Sequence, residues 1–203
     1  MILPFLRGDA GRSVSLRLER IHLRPPRMSD WQFWAELRET SRDFLGPWEP
    51  TWPRDALTKA AFRRRLDHVR QEWEQETGYG FLAFRTADET LLGGVTLSNV
   101  RRGVALTASL GYWIGAPYAR QGYMSEALLT VLHFAFDQLG LHRVEAACLE
   151  KNEASRRLLQ KSGFRPVGYA RQYLKIDGRW QDHLLFEILC NDPRGGKTTS
   201  RDA

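Results

Sequence analysis

Between Leu110 and Ser125 the chain reads Leu-Gly-Tyr-Trp-Ile-Gly-Ala-Pro-Tyr-Ala-Arg-Gln-Gly-Tyr-Met-Ser. An alternating apolar strand stops at Gly115, passes Pro117 and bends at Gly122 into a long amphipathic helix. Such a turn aims unpaired backbone N–H groups, at the positive end of a helix dipole, into one small volume, and that arrangement binds phosphate. Arg120 adds a cation able to pair with phosphate oxygens. No Gly-Lys-Ser/Thr follows, as a Walker loop would require, and the G-x-G-x-x-G of dinucleotide folds is absent. ATP and NAD readings weaken; a phosphate cradle survives. Thirty residues on, Asn152-Glu153-Ala154-Ser155 opens a second helix, which ends at Gly163-Phe164. Asn152 could be an ordinary N-cap. Its place one strand after the cradle points instead to a pyrophosphate-bearing cofactor lying beside a strand end.

The elements that must position these groups follow from periodicity and punctuation. Residues 14–23 alternate Val14, Leu16 and Leu18 with polar neighbours and read as a strand, ended by Arg24-Pro25-Pro26. Ser29 or Asp30 can cap a helix carrying Trp31, Phe33, Trp34 and Leu37. Residues 44–53, with three prolines and two tryptophans, read as an ordered loop. A helix over 56–76 places Phe62, Leu66, Val69 and Trp73 on one side. Strands follow at 79–85 and 91–99, joined by Ala87-Asp88-Glu89. A longer one spans 104–114, with Val104, Leu106, Ala108, Leu110, Tyr112 and Ile114 on one face. The helix after Gly122 buries Leu128, Val131, Leu132, Ala135 and Leu139 and closes at Gly140. A strand at 144–149 precedes the Asn152 helix, whose Leu158 and Leu159 point inward. Residues 164–176 and 183–189 form a hairpin around Asp177-Gly178. The expected order is β-α-α-β-β-β-α-β-α-β-β in one mixed α/β domain over 14–190, with an N-terminal extension at 1–13 and a disordered tail at 191–203.

Composition bounds the rest. A chain of 203 residues, 42% hydrophobic and 27% charged, can bury one sizeable core. No apolar run approaches the roughly 18–20 residues that span a bilayer, and the start is too short for a secretory signal. No membrane role is expected. The only cysteines, Cys148 and Cys190, suit packing in a reducing compartment, most simply the cytoplasm. Thirty Lys and Arg against 24 Asp and Glu leave a net charge of +6, which favours acidic cofactors, acidic partner segments or an RNA-rich setting. His22, His68, His133, His142 and His183 lack partners at ligand spacing, so no metal site is indicated.

With these segments in view, the chain resembles the GNAT superfamily of acetyl-CoA-dependent N-acetyltransferases. The family segment Q/R-x-x-G-x-G/A maps onto Ala119-Arg120-Gln121-Gly122-Tyr123-Met124, departing at Ala119 and Met124. More narrowly, residues 16–190 are similar to the RimJ/RimL group, and RimJ-type sequences most of all. The shared segments are Phe44-Leu45-Gly46-Pro47-Trp48-Glu49-Pro50, Ser98-Asn99-Val100-Arg101-Arg102-Gly103, Gly168-Tyr169-Ala170 and Tyr173-Leu174-Lys175-Ile176-Asp177-Gly178-Arg179-Trp180-Gln181-Asp182-His183. The resemblance implies the acyl-CoA N-acyltransferase fold: a mixed, mostly antiparallel sheet with splayed central strands, flanked by helices.

It also implies roles. Acetyl-CoA would lie in the splay, its pantetheine arm bonded by backbone at Tyr112, Trp113 and Ile114. Its pyrophosphate would take Arg120, Gln121, Gly122, Tyr123, Met124 and Ser125. Asn152 would orient cofactor amides. The tyrosine acid of many relatives is replaced here by Leu159, which cannot serve, and Ser155 is the substitute. Glu145, then Asp182, are the candidate bases, although a salt bridge and a hairpin clasp are their alternatives. Trp48, Glu49 and Trp52 could wall a peptide slot. The expected reaction is acetyl transfer, by direct attack in a ternary complex, to the N-terminal α-amine of a protein. The resemblance makes that acceptor a ribosomal protein, with association with the ribosome or a pre-ribosomal particle. A small-amine acetyltransferase and a non-catalytic ribosome-assembly factor are the rivals. Oligomeric state stays open.

Overall fold

The computed structural model describes residues 14–195; the expected N-terminal extension and residues 196–203 lie outside the described residues. Residues 14–23 do not make one strand. Leu16–Arg17 (β1) and Ile21–Arg24 (β2) pair antiparallel, with Leu16 opposite Leu23, because the backbone reverses at Glu19-Arg20, where Leu18 N–H reaches Ile21 O at 3.0 Å. This reversal sets Arg20 at the tip of a tight turn.

Trp31–Thr40 (α1) begins after a single 3-10 turn. Asp30 makes no side-chain cap to it. Its carboxylate instead accepts from Arg24 Nη1 and Nη2 (2.8 and 2.7 Å) and from Arg27 N–H (2.7 Å), tying α1 to the end of β2. The Pro/Trp segment holds Arg42–Leu45 (α2) and a 3-10 turn at Gly46–Trp48. Lys59–Glu74 (α3) starts three residues later than expected, where the Thr58 hydroxyl accepts from Ala61 N–H at 3.2 Å.

Tyr79–Arg85 (β3), Leu91–Arg101 (β4) and Thr107–Ile114 (β5) form an antiparallel run. β5 starts later than its apolar pattern suggests. Val104 is fully exposed, and Leu106 takes a left-handed φ of +46° that breaks the alternation. Tyr123–His133 (α4) continues into a π-helical turn, Phe134–Gln138, before Gly140. Arg143–Leu149 (β6), Glu153–Lys161 (α5), Arg165–Ile176 (β7) and Arg179–Leu189 (β8) complete the chain. Residues 191–195 are anchored: Asp192 accepts from Leu189 N–H at 3.0 Å, and Arg194 pairs with Asp137 at 2.8 Å.

The eight strands form one sheet, ordered β1-β2-β3-β4-β5-β6-β8-β7. All pairings are antiparallel except β5–β6. The larger core packs Phe81, Val95, Leu97, Leu110, Val144 and Ala146 with the apolar stripe of α4 and Leu159 of α5. The smaller one packs Leu82, Phe84 and Leu91 against Trp34 and Leu37 of α1 and Phe62 and Leu66 of α3. Period-2 alternation along the strands sorts residues between these two faces. Among the described residues, no helix is long and apolar enough to cross a membrane.

Candidate active site

The single parallel pairing is where the sheet opens. β5 and β6 pair from Thr107 opposite Arg143 to Leu110 opposite Ala146 and no further, although β5 runs on to Ile114 and β6 to Leu149. Two hydrogen bonds set which backbone groups face the gap. Leu106 O accepts from His142 N–H on the β6 side, and Gly115 N–H donates to Leu92 O on the β4 side. By alternation, the backbone groups of Tyr112 and Ile114 point into the gap without a strand partner, while those of Trp113 bond β4. An extended amide-bearing chain can dock there as an added strand. Trp113 contributes its side chain instead, on the α1/α3 face.

At the open end lies the turn expected to cradle an anion. Arg120 (φ +62°) and Gly122 (φ +85°) both adopt left-handed backbone, and Gly122 is the N-cap of α4. The first-turn N–H groups of Tyr123, Met124 and Ser125 have no intrahelical acceptor. Gln121 is occupied otherwise: its side-chain amide donates to Pro117 O at 2.8 Å, bracing the loop. Met124 is buried in the main core, so the cradle uses its backbone and not its side chain. That accounts physically for a bulky residue at this position.

Across the gap stands α5. Asn152 Oδ1 accepts from Ser155 N–H at 3.0 Å, the ordinary capping bond. Ser155 Oγ lies 2.6 Å from Tyr112 Oη. Tyr112 comes from β5, whereas Ser155 follows β6, so this hydrogen bond bridges the two strands that have parted. Burial pushes the Tyr112 phenol well above the ordinary tyrosine range, and the Ser155 bond offsets this only in part. The neighbouring Cys148 thiol is likewise pushed up by burial, offset in part by the nearby Ser155 hydroxyl. Leu159 is wholly buried and supplies nothing to the gap. The family resemblance implies a backbone role alone for Tyr112; the contact that brings its hydroxyl to Ser155 spans 43 residues and has no local signal.

The opposite face carries the other candidates. Ser109 and Glu145 are cross-strand partners just below the point where the strands part. They line a groove of about 630 Å³ together with His68 and Glu72 of α3, Asn99 of β4 and Tyr173 of β7. Glu145 accepts from Arg143 Nε at 2.8 Å, and Arg143 also pairs with Glu187, so the carboxylate is tethered and still borders the groove.

Asp182 is elsewhere. The unbroken β6–β8 register sets Glu187 opposite Glu145 and His183 opposite Leu149, so Asp182 projects from the other face, beside Leu184 and Cys148. Its oxygens accept from Tyr169 Oη (2.5 Å) and Gln172 N–H (2.7 Å). Those bonds hold its carboxyl below the usual range, the Tyr169 bond most of all. It clasps the bulge of β7, and Glu145 and Asp182 cannot serve the same amine.

Glu49 and Trp52 come together beside Trp113 of β5, and Trp48 ends the 3-10 turn just before them. Glu49 pairs with the buried Arg38 and accepts from Trp52 Nε1 at 2.7 Å. The Arg38 guanidinium lies 4.4 Å from the Trp52 ring and 4.9 Å from Trp113 of β5. Asp177 N–H donates to Glu49 O at 3.0 Å, joining this loop to the closing hairpin. Arg38 therefore already neutralises the Glu49 carboxylate, which leaves no free charge on that wall to draw an amine.

A strand-like gap, an anion cradle at its open end and a bridging hydroxyl pair fit a coenzyme A thioester. Comparison with known proteins agrees. Residues 20–165 match the family model described as an acetyltransferase (GNAT) domain. The chain belongs to the GNAT acetyltransferase family. Among GNAT relatives, the chain is 34% identical over 177 residues to the probable N-acetyltransferase YjcK of Bacillus subtilis, covering 87% of this chain and 98% of that one. It is 31% identical over 184 residues to the [ribosomal protein uS5]-alanine N-acetyltransferase of Escherichia coli, covering 91% and 95%. Among solved structures, Mycobacterium smegmatis RimJ in complex with CoA-disulfide superposes with a TM-score of 0.83 at 30% identity, covering 88% of each chain. The cosubstrate of this GNAT enzyme is acetyl-CoA.

Proposed function

We propose that this acetyltransferase modifies the N-terminal α-amine of a protein, with a ribosomal protein as acceptor. The observation that carries the catalytic reading is the Tyr112–Ser155 hydrogen bond across the parted strands. The acceptor reading rests on the relative that acts on ribosomal protein uS5 and on the polar groove of the opposite face. Gln71, Gln75 and Asn99 present side-chain amides there, able to bond the peptide backbone of an extended chain.

Bound acetyl-CoA supplies an activated acyl carbon and a thiol leaving group. The protein supplies the rest. Unpaired backbone in the gap, at Tyr112 and Ile114, holds the donor arm and offers N–H groups to the thioester oxygen. Cradle amides at 122–125, with Arg120 beside them, take the pyrophosphate. Glu145 stands on the acceptor side to receive a proton from the incoming amine. The demand on it is modest: an α-amine of pKa about 7.7–8.0 is already about a tenth to a third neutral near neutral pH, whereas a lysine side chain is about a thousandth neutral. On the far side Ser155 faces the departing sulfur. A serine hydroxyl alone is a poor acid, but Tyr112 can refill it as it donates. Burial keeps the phenol protonated at rest, and the tyrosinate left after the transfer, a strong base in that setting, recovers its proton from solvent.

Turnover of acetyl-CoA by the full chain, followed as thiol release with peptides beginning in alanine, serine or methionine, tests the reading. Acetylation of the α-amine with a lysine-only control left untouched is the expected result. No thiol release with any α-amine peptide would refute it. Sedimentation of the protein with ribosomes or their precursors checks the proposed association.

A further inference from the structure

Glu126 presents an electrostatic problem. It lies in the first turn of α4, where the helix dipole and free amides favour an anion, so its carboxylate competes with any phosphate entering the cradle. Arg20, at the tip of the β1–β2 turn, meets it from more than a hundred residues away in sequence. Its Nε donates to Glu126 Oε1 at 2.5 Å, and Nη1 and Nη2 both donate to Gln121 O at 3.3 Å. The guanidinium carbon sits 4.8 Å from the centre of the Tyr123 ring. Nη2 also lies 3.1 Å from where a Cβ on Gly122 would stand. One half-exposed guanidinium thus touches four residues of the turn that forms the cradle.

We propose that Arg20 is a charge clamp for the donor: it neutralises Glu126 and fixes a cation at the lip of the cradle, so that the turn accepts the pyrophosphate of coenzyme A. The inference rests on the coenzyme A reading of that turn. Glu126 has its own part, since its carboxylate orients the guanidinium while Gln121 O fixes its plane. Removing Arg20 alone leaves a carboxylate facing a diphosphate across the first helical turn, and like charges at that range repel. Removing Glu126 as well takes the repulsion away. Arg20 is therefore a positioning residue, and its loss should be conditional on Glu126.

The test is calorimetric titration of coenzyme A into wild type, Arg20→Ala, Glu126→Gln and the double variant, with the steady-state parameters of each. Arg20→Ala is expected to weaken coenzyme A about tenfold or more and to raise the KM for acetyl-CoA, with kcat within about threefold of wild type. Adding Glu126→Gln to it should recover most of the loss. Dephospho-coenzyme A should show the same pattern, since the clamp faces the pyrophosphate. Affinity of Arg20→Ala within twofold of wild type would overturn the proposal. So would a loss that Glu126→Gln does not relieve, because that marks a packing role for the turn, or a loss confined to ligands carrying the 3′-phosphate. Wild type failing to bind coenzyme A would instead remove the cradle reading itself.

Discussion

Tyr112→Phe removes one oxygen and little else. The ring remains packed between β5 and α5, so the donor gap keeps its shape. The 2.6 Å hydrogen bond to Ser155 disappears, and a part-buried serine hydroxyl loses its partner. As a purely structural matter that costs about 1–3 kcal/mol, or a Tm about 2–12 °C lower for a domain of this size. Were this the whole effect, the folded enzyme would turn over at nearly the wild-type rate. If the pair relays the proton to the leaving sulfur, the barrier itself rises. Proton transfer by a positioned side chain is worth about 10²–10⁴-fold. The lower end of that range is about 100-fold in kcat, or about 2.7 kcal/mol, and is the fall expected for a pair that acts as a unit. The KM for acetyl-CoA should stay within about threefold, since the strand backbone and the cradle are untouched. Ser155→Ala should give a similar fall. The double variant should lose little more than either single one, because two groups acting as a unit are not additive. The assay is steady-state thiol release at a temperature where both proteins are folded, with the folded fraction checked by circular dichroism. Wild-type kcat in Tyr112→Phe would refute the relay.

Other consequences are as direct. Glu145→Gln should lower kcat about tenfold at pH 6.5, and the deficit should shrink by pH 8.5, where an α-amine needs no base; a pH-independent deficit would assign Glu145 to structure, through Arg143 and Glu187. Arg38→Ala strands the Glu49 carboxylate beside Trp52, and breaking such a part-buried pair should cost about 3 kcal/mol, a Tm fall of about 6–12 °C by scanning calorimetry. Asp182, whose carboxyl is held below its unfolded value by Tyr169 and Gln172, adds stability that is complete above an unfolded pKa of about 3.9 and is lost as pH falls through the lower folded value. Asp182→Asn should flatten the acid limb of a Tm-against-pH profile while kcat stays within a few fold; a hundredfold loss of kcat would return Asp182 to the chemistry.

Local rules carried far in this chain because the donor site is assembled largely from short-range features. The left-handed φ at Gly122, Gly140 and Gly163, the Asn152 cap and the Asp177-Gly178 turn are all where residue type places them. Each depends on a few consecutive dihedrals, which the residue itself constrains. Apolar periodicity located most strands and helices for the same reason. It failed where tertiary contacts redirect the backbone. The segment expected to be one strand reverses at Arg20, which α4 engages through Glu126 and Gln121. Val104 and Leu106 continue an alternating pattern yet lie outside β5, since Leu106 O turns to His142.

The amino-acid sequence by itself determined a GNAT-type α/β chain with a left-handed turn at Gly122 opening one helix and Asn152 capping a second. Tertiary structure alone decided which side chains meet around them. It joined Tyr112 to Ser155 over the gap, set Arg20 on Glu126, cancelled Glu49 with Arg38, and sent Glu145 and Asp182 to opposite faces. The physical reason is that dihedral preferences and caps act within a turn or two of the chain. Pairings between distant residues depend on strand order and on the parity of each register, and a one-residue shift in register would send Tyr112, Glu145 or Asp182 to the other face.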